Sequence, residues 1–264
     1  MIKLNWQSNR NLFLSLSLLV MLVSCQPSTD GQGEKASPGK AQEIVDAAIA
    51  AHGGELFNRM SVSFDFRDRH YTALREDGAY VYTREFSDSL GQVRDVLSND
   101  GFYREIDGRK VELTEERKKA YANSVNSVIY FALLPYGLND AAVNKAYLGK
   151  TSIKGQPYHK IKVTFDLEGG GSDHEDEYIY WIHPAKYTMD YLAYSFQVNE
   201  GGLRFREAHN RRNMKGVLFA DYVNYEAASD TVTLEKMDVA FENGGLRKLS
   251  DINLKNITFQ TGTP

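Results

Sequence analysis

The chain has 264 residues, with 31 Lys and Arg against 35 Asp and Glu and a formal net charge of −4. That balance argues against nucleic acid or an anionic lipid surface as the partner, because both select for basic patches. A single cysteine excludes an internal disulfide, and the length suffices for one large domain without forcing a second.

The first segment reads as an export signal. Lys3 and Arg10 supply a positive start, and Leu12 to Val23 form an apolar run too short for a comfortable membrane span. It ends in Leu22-Val23-Ser24-Cys25, a match to the lipobox, whose cysteine thiol accepts a diacylglyceryl group. Residues 1–24 are therefore expected to be removed and Cys25 to carry the lipid; an ordinary cleaved signal with a chance cysteine is the alternative. Residues 25–39, rich in Ser, Gly, Pro and Gln, read as a tether. Only Asp30 and Glu34 follow the cysteine, not a dense acidic run. The expected location is the cell envelope, lipid-anchored at the outer membrane and facing the periplasm.

A single domain is expected over 40–264. It opens with a helix capped by Ser37-Pro38, carrying an apolar stripe of Ile44, Val45, Ala48 and Ile49 and ended by Gly53-Gly54. His52 beside them reads as a capping or solvated residue. The period then changes to two: Val62, Phe64 and Phe66, then Tyr80 and Tyr82, then Ile161, Val163, Phe165 and Leu167 alternate with polar residues. Further strands are expected over 92–98, 101–106, 109–114, 177–183, 188–198, 203–210, 216–226, 231–242 and 246–259. Turns at Asp77-Gly78, Asp107-Gly108, Gly201-Gly202 and Asn243-Gly244 make the sheet an antiparallel meander. Slips of apolar phase from Leu234 to Met237 and from Leu254 to Ile257 suggest bulges.

One segment interrupts the meander. From Glu115 to Leu134, Tyr121, Val125, Val128, Ile129, Ala132 and Leu133 recur at helical spacing, and Val128 to Leu134 are apolar on every side, which requires burial all round. Asn123, Ser124, Asn126 and Ser127 place small polar groups in its middle, where a helix made only for packing would use Leu or Ala. Pro135 and Gly137 stop it, and Leu138 to Tyr147 reads as a short helix or loop. The pattern allows either a helix in the hollow of a curved sheet or one on a flat sheet face.

The candidate chemistry is sparse. Asp173, His174, Glu175, Asp176 and Glu177 follow three glycines and could offer oxygens to calcium, but the spacing fits neither an EF-hand nor a zinc motif. An ion-pair cluster with the basic strand of Arg204 and Arg206 is the plainer reading. His70, His174, His183 and His209 could meet Asp173 or Glu207 as a hydrolase; no nucleophile elbow, phosphate loop or dinucleotide fingerprint accompanies them. The polar residues of interest are thus His70, Asp173, His174, Glu175, Asp176, Arg204, Arg206 and His209, with no metal, cofactor or catalytic residue expected.

The layout of lipobox, tether, helix ending in His52-Gly53-Gly54, bent sheet and inserted helix is similar to the lipoprotein-localisation (LolA/LolB-like) superfamily of envelope proteins. Those are half-barrels that hold acyl chains between sheet and helices. The stretches 66–71, 124–131, 169–176, 190–194 and 204–207 also resemble a family of lipoproteins of unknown function from Bacteroidota. These resemblances imply an α+β fold: a strongly bent antiparallel half-barrel of about 10 to 12 strands, with the N-terminal helix and the inserted helix in its concave face. They imply a membrane-anchored, non-enzymatic protein binding a lipid or the acyl chains of a lipoprotein. The expected lining is Tyr121, Val125, Val128, Ile129 and Leu133 from the helix, with Tyr180, Trp181, Tyr194 and Phe196 from the strands. Other envelope proteins are further partners under this reading, and a hydrolase or a glycan- or protein-binding scaffold are the alternatives.

Overall fold

The computed structural model describes residues 39–169, 174–197 and 201–262. Cys25, the signal segment, most of the tether, Ser37, Pro38 and Asp173 lie outside them. Helix α1 (Lys40–His52) begins after Gly39, which holds the N-cap in the left-handed conformation, so a glycine takes the place expected of the Ser37-Pro38 cap. Ala41, Ile44, Val45 and Ala48 form its buried stripe. Gly53 ends it at φ 148°, with its N–H returning to the Ala50 and Ile49 carbonyls. A Cβ there would stand 2.9 Å from the Phe57 ring, so the close packing as well as the backbone requires glycine. His52 is buried rather than solvated: its Nδ1 lies 2.8 Å from the Ala48 carbonyl, and burial lowers the imidazole pKa.

Fourteen antiparallel strands among the described residues form two seven-stranded sheets, not closed into a barrel. The first contains β1 (Arg59–Phe66), β2 (Arg69–Glu76), β3 (Ala79–Asp88), β4 (Gly91–Ser98), β5 (Gly101–Ile106) and β6 (Arg109–Val111), in chain order. The second contains β7 (Val143–Ile153), β8 (Gln156–Phe165), β9 (Tyr178–Ile182), β10 (Met189–Phe196), β11 (Gly202–Met214), β12 (Val217–Ala227) and β13 (Leu246–Ile252), also in order. The last strand, β14 (Leu254–Thr261), returns to pair with β1 at the edge of the first sheet. Asp77-Gly78 and Asp107-Gly108 both take positive φ at their two central positions, the twist that tight hairpins need.

Two expected strands resolve differently. The stretch 231–242 is a 3-10 turn (Leu234–Lys236) followed by α3 (Met237–Glu242), so the slip from Leu234 to Met237 is helical spacing. The stretch 246–259 divides at Asn253 into β13 and β14, which belong to different sheets. The bulge expected near Leu254 to Ile257 is present: Ser63 faces Thr258 and Asp65 faces Lys255, leaving Asn256, at φ 51°, and Ile257 opposite Phe64 alone.

This crossing of the chain from sheet to sheet is fastened by one carboxylate. Asp221, 3% exposed, accepts hydrogen bonds from Arg212 Nη1 and Nη2 at 2.7 Å each, from Asn210 Nδ2 at 2.6 Å and from the Leu254 amide at 2.9 Å. Burial pushes its carboxyl up, but the Arg212, Leu254 and Asn210 bonds outweigh burial and hold it below the usual carboxylate range. A group with a depressed folded pKa stabilises the fold above its unfolded value and loses that contribution as pH falls through the folded one. Asp221→Asn should therefore flatten the loss of thermal stability below about pH 4, measured as the change in Tm between neutral and acid buffers. An unchanged acid slope would deny the carboxylate this role.

Helix α2 (Glu115–Leu133) is capped by Thr114, whose hydroxyl accepts from the Arg117 amide. Its Val125, Ile129 and Leu133 sink into the core of the first sheet, among Met60, Val62, Phe64, Tyr71 and Tyr82. Helix α1 covers the inner face of the second sheet, against Tyr147, Ile161, Val163, Tyr180 and Leu192. Strand β12 serves both cores, giving Val217 and Phe219 to the first and Tyr222 to the second. The outer face of the second sheet has its own core under α3, built on Ile179, Trp181, Phe205 and Met237.

Candidate lipid-binding cavity

The two cores do not meet everywhere. Between α2 and the second sheet lies an open cavity of about 710 Å3. One wall is the face of α2 carrying Asn123, Ser124, Ser127, Val128 and Phe131. Ser124, Ser127, Val128 and Phe131 stand at i, i+3, i+4 and i+7, a face beside the Val125, Ile129 and Leu133 stripe that packs on the first sheet. The opposite wall comes from alternating positions of four strands: Tyr178, Tyr194 with Phe196, Arg204 with Arg206, and Ala220 with Tyr222. Phe66, Ile252 and Leu254 close the end at the sheet crossing.

Aromatic contacts knit the floor. Phe131 packs 5.2 Å from Tyr194 and 6.2 Å from Tyr178, between ring centroids, and Tyr178 and Tyr194 stack at 5.5 Å. Burial pushes the Tyr130 phenol up to about 12 and raises Tyr178 too, so these hydroxyls stay neutral at physiological pH. Among the described residues, the charged groups of the lining are two guanidiniums, Arg204 and Arg206, and one carboxylate, Asp176.

Val128, Tyr194 and Phe196 are thus where a lining was expected. Tyr121, Val125, Ile129 and Leu133 are not: Val125, Ile129 and Leu133 belong to the first sheet's core, and Tyr121 lies under the Arg104 guanidinium, 3.8 Å from it. Tyr180 is fully buried below the cavity, 3.2 Å from the Tyr130 hydroxyl. Trp181 points to the other face of the sheet, where its indole N–H donates to Asp238 at 3.3 Å. The most hydrophobic stripe of the helix packs on the first sheet, and the neighbouring stripe of small polar and aromatic residues faces the space. Phe131, Tyr178 and Tyr222 were missed, although Tyr178 shares a strand face with Tyr180, which was expected in the lining.

The polar residues separate. Asp176, Arg204 and Arg206 reach the cavity. Glu177 of the acidic run pairs with Lys162 at 2.9 Å, and Arg204 lies 4.0 Å from Glu226; Asp173, on which the expected pairing with the arginine strand also rests, lies outside the described residues. His70 sits 2.6 Å from Asp65 at the hairpin of β1 and β2, while His183 Nδ1 accepts from the Ala185 and Lys186 amides. His174 is half-buried and Glu175 exposed in the turn before β9, and His209, on β11, faces Asp221 of β12 in the sheet register. No three His, Cys, Asp or Glu side chains among the described residues gather as a metal site.

The chain belongs to a family of unknown function (DUF6503), whose model matches residues 14–253. No curated protein matches it significantly. Among solved structures it is similar to a DUF1329 family protein from Desulfovibrio piger, at 9% identity and TM-score 0.52, covering 85% of this chain and 95% of that one. It is also similar to a LolA superfamily protein from Nitrosomonas europaea, at 10% identity and TM-score 0.45, covering 85% and 94%. At such identities the likeness concerns the fold alone.

Proposed function

We propose that this member of the DUF6503 family is a membrane-anchored, non-enzymatic envelope protein that holds an amphipathic lipid, free or as the acyl chains of a lipoprotein, in the cavity between α2 and the second sheet. One observation carries the reading: a cavity of about 710 Å3 lies open between α2 and the second sheet, with a lining that is mostly apolar and aromatic. Small-molecule sites are of this size, mostly apolar with a few placed polar groups. Here Phe131, Tyr194, Phe196 and Val128 would lie along the chains, and the serines and arginines would meet the polar end. Mass spectrometry of organic extracts from the purified protein should find a lipid bound without a covalent link. An empty extract together with no uptake of a dansylated fatty acid would defeat the proposal.

The anchor rests on Cys25 and the motif before it. Two acyl chains, at about 0.8 kcal/mol per buried methylene, make a firm attachment. Cys25→Ala should leave an unprocessed precursor that takes up no palmitate, read by labelling and by mass. A mutant still cleaved before residue 25 and still labelled would refute the lipid attachment.

A further inference from the structure

Arg206 is 8% exposed and lines the cavity. Its Nη2 donates to the Tyr194 hydroxyl at 3.0 Å, and its guanidinium lies over the Phe131 ring at 3.9 Å and the Tyr194 ring at 5.2 Å. No carboxylate among the described residues lies within ion-pairing distance of it, and its Nε is buried without a hydrogen-bond partner. The other well-buried arginines behave differently. Arg84 and Arg104 share the Asp95 carboxylate. A buried cation without an anion is costly, and a ring face and a phenol offset only part of that cost. The side chain is held in place by aromatic contacts on its flanks, which leaves donors for something that enters the cavity.

We infer that Arg206 is the headgroup receptor of this cavity, and that the ligand it selects is an amphiphile ending in an oxyanion, a carboxylate or a phosphate monoester. This rests on the reading that the cavity holds an amphipathic ligand. The planar guanidinium fork suits two oxygens of one anion, and a charge-assisted bond to a largely buried donor is stronger than one in water. Arg204, over the Phe196 ring at 4.8 Å, adds positive potential on the same strand face. Ser124 and Ser127 line the facing wall, where the Ser124 hydroxyl accepts from Arg84 and the Ser127 hydroxyl donates to the Ser124 carbonyl. The apolar remainder of the lining then holds the chain, so the polar end is fixed at β11 and the tail runs along α2.

The test uses 11-(dansylamino)undecanoic acid and its methyl ester, which differ only in charge and one methyl group. The wild type should bind the acid at least about tenfold more tightly than the ester. Arg206→Met should abolish the preference, read as the ratio of acid to ester affinity within the same variant, while Arg206→Lys should recover part of it. Displacement by dodecanoate or by dodecyl phosphate, whichever is tighter, identifies the oxyanion. If the wild type binds acid and ester equally, the headgroup inference is overturned while the cavity reading stands. If it binds neither probe, the cavity reading fails and takes this inference with it. The acid and ester comparison needs no variant, so a folding defect in Arg206→Met leaves it decisive.

Discussion

Ser127→Trp is expected to abolish binding of a dansylated fatty acid and to leave thermal stability nearly intact, whereas Val125→Trp should do the reverse. Both residues sit on α2, two positions apart, but on different faces. Ser127 is half-buried and borders the cavity, so an indole there projects into open space and occupies the volume a chain would need. Val125 is 0% exposed within the first sheet's core, and an indole there must displace packed neighbours. Overpacking of that kind costs about 1 to 3 kcal/mol or more, and for a chain of this size each kcal/mol lowers Tm by about 2 to 4 °C. Fluorescence titration and thermal unfolding on the two variants separate these effects. Undiminished binding by a folded Ser127→Trp protein would mean that lipid, if bound, is bound elsewhere.

That contrast marks how far the sequence could be read. Strand alternation and Asp-Gly turns announce most of the meander because side-chain direction in a strand follows a period of two and tight hairpins need positive φ. The stretch 231–242 misleads because its Leu, Met and Phe are as compatible with a buried strand as with α3, and which it becomes depends on the outer core around Trp181 and Phe205. The division at Asn253 was legible only as one long strand, since the residues on both sides keep the strand pattern while changing partners. On α2 both stripes are visible in the sequence, and nothing local says which one packs. That choice is made by the first sheet, whose Val62, Phe64 and Tyr71 receive Val125 and Ile129. The smaller side chains are left facing the gap.

The largest loss of stability is expected from Asp95→Ala. Asp95 is 0% exposed on β4 and is gripped from both neighbouring strands: Arg84 of β3 donates through Nε at 2.9 Å and Nη2 at 2.5 Å, and Arg104 of β5 through Nε at 2.6 Å and Nη2 at 3.0 Å. One carboxylate thus neutralises half the charge of two guanidiniums that are themselves 2% and 7% exposed. Replacing such a group with a well-packed apolar set could be neutral, but removing only the anion leaves two cations facing each other in a poorly solvated place. The expected cost is about 3 to 5 kcal/mol, or roughly 10 °C or more in Tm. The same cluster fixes the cavity wall, because Arg84 Nη1 donates to the Ser124 hydroxyl at 2.6 Å and the Arg104 guanidinium stacks on the Tyr121 ring of α2. Asp95→Ala should therefore weaken lipid uptake even at temperatures where the protein remains folded. The exposed pair of Arg94 and Glu85 on the same two strands is the control, and Glu85→Gln should cost under about 1 kcal/mol. Urea unfolding of both variants would decide the matter: equal, small losses would mean that water reaches the Asp95 cluster and that it does not brace α2.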